Sequence, residues 1–395
     1  MPFTNNGTIV VTSGSINFAG GLNNIGIIEG QLSGTTVSAA PVGETFFYGG
    51  TGSNHFTVAT APTLISCAAG GTNTVEVTAS LAFTAGSLVN VQDVQVDNGV
   101  SADLSRLTSD ENIVSTSLSG GGATIIGTQG NDTITAGAGN DMLFAGPGND
   151  SLVGGAGNST LSAGSGYDTL TGGTGNEYLI SNAGHTTLSA AGGDTVFYAG
   201  PNATVSMTGG SGNDTMYANG GNSDTLVAGS GATLIWANAS SGNDSITLNG
   251  RDTLFGGTGD NAISITGDGN QAHLAGAADT ATIGGPGNDT VWSYGGHDTI
   301  LAGASSGNDD FILGPGTSSI MGGSGSNTFE FTSGFGNSAI EGGTSGNNVA
   351  YFDGLSETQV AIHTAGAVTT VTFGGSTATL MDVQHLVFTD GHVNP

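Results

Sequence analysis

Isolated apolar positions between small polar turns set the rhythm of this chain. From Gly127 it reads GTQGNDTIT, AGAGNDMLF, AGPGNDSLV, GGAGNSTLS, AGSGYDTLT, GGTGNEYLI, six nonapeptides in unbroken succession. The eighth position of each is apolar: Ile134, Leu143, Leu152, Leu161, Leu170 and Leu179. One inward side chain with outward neighbours on both sides predicts a very short strand. The Gly-rich hexapeptide before it predicts a turn that needs positive φ. So short a strand buries too little alone. Coils must therefore stack, with two nonapeptides forming each turn of a flattened parallel solenoid.

Past residue 180 the pattern returns with slips. GGSGNDTMY at 209–217 and GGPGNDTVW at 284–292 are nearly regular, whereas the units around Asp224, Asp244, Asp252, Asp298 and Asp309 are spaced at ten or eleven in places. Residues 1–120 are Thr-, Val- and Ile-rich and less regular. They predict an irregular β-solenoid or β-sandwich, with a degenerate nonapeptide at 44–58 that puts Asn54 or His55 near the aspartate position. A helix or long loop is expected at 101–113 (SADLSRLTSDENI). After residue 350 glycine thins out and alternation appears, in QVAIHTAGAVTTVTF and STATLMDVQHLVFTDG, which predicts antiparallel strands and a hairpin-like cap. The expected organisation is thus 1–120 irregular and β-rich, 121–350 parallel β-roll, and 351–395 β cap, all-β throughout.

Composition narrows the function. Among 395 residues there are 73 Gly, 31 Asp+Glu and only 2 Lys+Arg, a net charge of −29. With Arg106 and Arg251 as the only Lys or Arg, nucleic acid and an anionic membrane surface are implausible partners. No apolar run approaches the ~18 residues of a membrane helix, so no membrane insertion is expected. Residues 1–7, MPFTNNG, have neither the basic nor the apolar part of a Sec-type signal peptide. The lone Cys67 excludes an intrachain disulfide framework and a cysteine-based zinc cluster.

The sixth position of the clean block runs Asp132, Asp141, Asp150, Ser159, Asp168, Glu177. Stacking brings every second one together, about 4.8 Å apart along the coil axis. Carboxylates that close must share a cation or a proton. Oxygen donors and carbonyl-rich turns favour Ca²⁺. The rule pairs Asp132 with Asp150 and Asp150 with Asp168 on one edge. On the other edge Ser159 interrupts Asp141 and Glu177, so weak or empty sites are expected there. It also pairs Asp194 with Asp214, Asp224 with Asp244, and Asp289 with Asp309, and adds Asp298 as a further ligand. The alternative role for these aspartates is capping their own turns.

These nonapeptides match G-G-x-G-x-D-x-U-x, so the chain resembles the hemolysin-type calcium-binding (RTX) repeat family. The resemblance implies a right-handed parallel β-roll and type I secretion through an uncleaved C-terminal signal, which the closing TLMDVQHLVFTDGHVNP also resembles. It places the protein outside the cell or at its surface.

Catalytic signatures are weak. There is no His-Glu-x-x-His, hence no sign of the zinc protease often fused to such rolls. The G-x-S-x-G match at 303–307 falls in a repeat turn of a chain rich in both residues. His273 and His297 lie in turns, where they are solvated or join a metal site. Phe144, Tyr217, Trp236, Trp292 and Phe311 occupy repeat positions that favour core or stacking roles over a carbohydrate platform. Three functions remain. The first is a calcium-dependent homo-oligomeric structural protein forming a layer, fibre or matrix. The second is a calcium-rigidified adhesin, binding a cell-surface glycan, or an ice-binding rod, although the Thr rank it needs is interrupted by Met142, Ser151, Thr160 and Tyr178. The third is a polysaccharide-acting enzyme with its site in 1–120.

Overall fold

The computed structural model describes residues 46–395 except Thr344, together with the course of six short strands between residues 3 and 39. The chain forms two compact units, Met1–Gly193 and Asp194–Pro395. Both are parallel β-solenoids. Among the described residues the one helical element is the 3-10 turn Glu357–Gln359.

In the first unit each strand pairs with the strand one coil away. His55–Val58, Thr74–Val77, Asp93–Val96, Asn112–Ser115, Thr133–Thr135 and Ser151–Val153 form one continuous parallel sheet. Ser101–Asp103, Thr124–Ile126, Met142–Phe144 and Thr160–Ser162 form the facing sheet. Inside lie Phe56, Val75, Val94, Ile113, Ile134, Leu152 and Leu170 from the first sheet, and Ala102, Ile125, Leu143, Leu161 and Leu179 from the second, all fully buried or nearly so. Each buried Leu or Ile contributes about 1.5–3 kcal/mol relative to exposure, and stacking is the only way such short strands obtain it.

The helix or loop expected at 101–113 is not formed. Ser101–Asp103 and Asn112–Ser115 are strands of one coil, joined by a turn in which the N–H of Leu107 bonds the Leu104 carbonyl at 2.8 Å. Leu104, Leu107 and Ile113 face the core. The segment reads as polar because its turn carries charge in place of glycine. Pairing runs without a break across residue 120, since Ser101 faces Thr124 and Asn112 faces Thr133.

The second unit repeats the plan. One inner column is Phe197, Met216, Ile235, Leu254, Ala272, Val291, Phe311 and Phe329, and the other is Met207, Leu226, Ile246, Ile263, Ala281, Ile300 and Ile320. Near the C-terminus Ala361–Ala365, Val368–Phe373 and Ser376–Met381 run antiparallel. The last of them continues the parallel sheet on Ser338–Glu341. His385–Phe388 pairs in parallel with Val349–Phe352 and antiparallel with Gly391–Val393.

Glycine is required where the turns stack. A Cβ on Gly155 would collide with the carbonyl oxygen of Gly137, and one on Gly164 with that of Gly146. Gly146 also sits at φ +109°, a region that side chains disfavour. The turns therefore approach each other backbone to backbone, with carbonyl oxygens between them.

Candidate metal centres

Two polar ladders run up each edge of the coils, and they point in opposite directions. At the sixth position the side chain reaches back one coil. Glu111 N–H donates to Asp132 Oδ1 (3.0 Å), Asp132 N–H to Asp150 Oδ1 (2.7 Å), and Asp150 N–H to Asp168 Oδ1 (2.9 Å). At the fifth position it reaches forward. Asn149 N–H donates to Asn131 Oδ1 (2.8 Å), Tyr167 N–H to Asn149 Oδ1 (2.9 Å), and Asn158 N–H to Asn140 Oδ1 (2.9 Å). These two amides lie where the turn enters the strand, and side-chain oxygens satisfy them. The asparagine ladder escaped the sequence reading. Its signal was the Asn that precedes Asp in most of the repeats.

The sixth-position row continues below the clean repeats. Asn54 N–H donates to Asn73 Oδ1 (3.1 Å) and Asn73 N–H to Gln92 Oε1 (3.0 Å), so Asn54, rather than His55, fills the aspartate position. His55 instead bonds Glu76 at 3.0 Å on the outer face.

The second unit has two such rows. Asp224 N–H donates to Asp244 Oδ1 (2.9 Å), and the row goes on through Asn261 and Asp279 to Asp298. Asp289 N–H donates to Asp309 Oδ1 (3.1 Å), with Asp252 and Asn270 below and Asn327 above. Asp252, Asp279, Glu111 and Glu177 also belong to these rows, beyond the residues paired from sequence. Asp194 does not. It is exposed on the fifth-position row, where its Oδ1 accepts from Asn213 N–H (2.8 Å), and Thr195 takes the place opposite Asp214. The insertion that lengthens this coil shifts the aspartate by one position.

Hydrogen bonding divides the buried acids into two classes. The carboxylates of Asp132, Asp141, Asp168, Asp214, Asp252, Asp279 and Asp298 are closed, with donors on both oxygens. Asp141, for example, accepts from Ser115 Oγ, Ser117 Oγ, Ala123 N–H and Gly137 N–H. The others are open. Asp150, Asp224, Asp244, Asp289 and Asp309 each keep a buried Oδ2 with no donor, and neither oxygen of Glu177 has one. Burial pushes the Asp150 and Glu177 carboxyls up to about 7 and that of Asp224 up to about 6. Asp298 is pushed up to about 6, though Ser293 Oγ donates to it at 2.6 Å.

Open carboxylate oxygens beside stacked turn carbonyls fit a hard divalent cation. No three His, Cys, Asp or Glu side chains converge as a ready-made cage among the described residues, so carbonyls must complete the shell. Softer ligands are engaged elsewhere. Cys67 is buried, with its thiol pushed up to about 11. His273 is sandwiched between Phe255 (4.8 Å) and Trp292 (4.1 Å), and His297 stands exposed beside Asp298.

A family profile described as the RTX calcium-binding nonapeptide repeat, in four copies, matches residues 119–152, 153–188, 206–235, 236–263, 283–306 and 304–337. The chain carries RTX calcium-binding nonapeptide repeats. Calcium is the ion that RTX nonapeptides bind, in agreement with the open oxygens, and RTX proteins are typically secreted. No curated protein is similar enough to the chain to be matched. Among the described residues no helix is long and apolar enough to cross a membrane. The 303–307 sequence leaves the strand His297–Ser305 into a turn, not a helix.

Proposed function

We propose that this RTX chain is a secreted structural protein that folds on calcium and then self-assembles into an extracellular layer, fibre or matrix. The supporting observation is an uncharged aromatic column on the outside of the second unit. Tyr198, Tyr217, Trp236, Phe255, His273 and Trp292 occupy matching positions on successive coils. Trp236 stacks on Phe255 at 4.3 Å, and burial holds His273 below its usual pKa, hence neutral. Their neighbours Val196, Thr215, Leu234, Thr253, Gln271 and Thr290 carry no charge either. Since the rings stack on each other, they present edges rather than faces outward. That suits contact with another apolar surface better than stacking on a sugar ring. On a chain of charge −29, such a strip is where like copies approach with least repulsion once calcium has neutralised the turns.

The test is light scattering and electron microscopy of the calcium-loaded protein beside Trp236→Glu. Ordered sheets or fibres that the substitution abolishes support assembly. A monodisperse wild type at high concentration and high calcium refutes it.

A second reading, an ice-binding rod, is favoured by the opposite face of the same unit. There Ser206, Thr225, Ser245, Ala262, Thr280, Thr299 and Ser319 form one column of small, mostly hydroxyl-bearing side chains at a rung spacing of about 4.8 Å. Thermal hysteresis in the wild type that disappears in Thr280→Tyr supports it.

A further inference from the structure

Glu111 lies upstream of every residue matched as a repeat, in a turn (LTSDE, 107–111) that contains no glycine. It nevertheless occupies the sixth-position row, one rung below Asp132, and is 3% exposed. Ser109 Oγ donates to its Oε1 at 2.6 Å, whereas Oε2 is buried without a partner. Three further carboxylates lie close enough to repel its charge, without converging on it as a cage. Asp132 accepts its N–H, Asp110 accepts the N–H of Asn131 (2.7 Å), and Asp93 accepts from Asn112 Nδ2 (2.8 Å). Neither Glu111 nor Asp93, Asp110 or Asp132 is ion-paired with a cationic side chain.

We propose that Glu111 is the carboxylate ligand of a further calcium site, at the head of the acid row and outside the nonapeptide repeats. Neither protonation state is satisfied otherwise. Ionised, Oε2 is a buried anionic acceptor with no donor. Protonated, it becomes a buried hydroxyl with no acceptor. A divalent cation resolves both defects, and its second charge offsets part of the repulsion from the three flanking acids. Burial first, then these acids, push the Glu111 carboxyl up to about 7, which is the field a cation would find. Glutamate and a glycine-free turn put the site beyond any nonapeptide pattern. The Ser109 hydroxyl and the turn carbonyls are oxygen donors of the kind calcium prefers.

The test is the number of calcium ions bound per full-length chain, by equilibrium dialysis, in the wild type, Glu111→Gln and Asp150→Asn. Glutamine already fills this row at Gln92, so the Gln variant is accommodated. One calcium fewer in Glu111→Gln, with the β circular-dichroism spectrum retained, supports the site. A wild-type count in Glu111→Gln alongside a loss in Asp150→Asn overturns it and leaves the repeat sites standing. A loss in neither overturns both. Should Glu111→Gln lose its β spectrum at all calcium concentrations, Glu111→Asp is measured instead. One calcium fewer, or a folding midpoint raised tenfold in calcium, then supports the proposal, and a wild-type count and midpoint refute it.

Discussion

The backbone N–H of Asp132 donates to Oδ1 of Asp150 at 2.7 Å, while Oδ2 of Asp150 is buried with no donor. One carboxylate thus has two tasks. It closes the coil below it, and it offers a second oxygen to a cation. Asp150 does not cap its own turn, the alternative to a metal role when only sequence was considered; its one bond is to the neighbouring coil, which leaves Oδ2 open to a cation.

Asp150→Ala is therefore expected to lower calcium stoichiometry and to raise the calcium concentration needed for folding. Asp141→Ala should leave the stoichiometry unchanged. It strips four donors of their acceptor, at a cost of at least about 1–3 kcal/mol, visible as a lower unfolding temperature at saturating calcium. Dialysis and thermal unfolding separate the two effects. Equal losses of calcium would show that open and closed carboxylates are not distinct classes.

Gly155→Ala should destabilise by about 3 kcal/mol, because its Cβ would meet the Gly137 carbonyl oxygen, which belongs to rigid backbone. Gly391→Ala is the control, since nothing lies within 4 Å of its Cβ. Chemical denaturation at fixed calcium measures both. A tolerated Gly155→Ala would mean that the turns do not stack this closely.

What was legible in the sequence was whatever kept strict spacing. The period of nine gives the strands, and the ladder from Ile134 to Leu179 gives the core. The eighteen-residue offset that stacks Asp132 under Asp150 follows as well. Three things were hidden. Asp194 slipped by one position because a longer coil moves the row without changing the local motif. The 101–113 coil looked helical because the stacking that makes Leu104 and Ile113 inward lies in neighbouring coils, which local pattern does not report. The asparagine ladder was overlooked for a different reason. Its partners are main-chain amides, which carry no sequence.

Acid should substitute for calcium in part. The carboxyls of Asp150, Glu111 and Glu177 lie near 7 in the folded chain, with Asp224 and Asp298 near 6, all above their usual range near 4. The folded state thus binds more protons than the unfolded one. Without calcium, folded stability is greatest below about pH 4 and is lost as pH rises through 6–7. Chelated protein should gain β circular dichroism when taken from pH 8 to pH 5. By the same linkage, calcium affinity should fall over that range as protons compete. A calcium-free spectrum that does not change between pH 5 and pH 8 would rule this out.

Glu177 distinguishes proton from cation on the edge where Ser159 suggested an empty row. Ser159 does interrupt that row, since its Oγ merely accepts the Asp141 N–H at 3.2 Å. One coil further, Glu177 is 1% exposed with both carboxylate oxygens lacking a donor, the least satisfied acid described in the first unit. Glu177→Gln keeps the shape and removes the charge. Near pH 5 the wild-type side chain is already neutral, so the variant should match it in the absence of calcium. Near pH 7.5 the wild type must bury a charge and the variant need not, so the calcium-free variant should hold its β structure to higher pH. In saturating calcium the order should reverse, with the variant less stable because an ion has lost its carboxylate. Thermal unfolding at the two pH values, with and without calcium, gives four comparisons with the wild type. A variant no less stable than the wild type in saturating calcium at both pH values would assign Glu177 no metal, and Ser159 would then mark a calcium-free stretch of that edge.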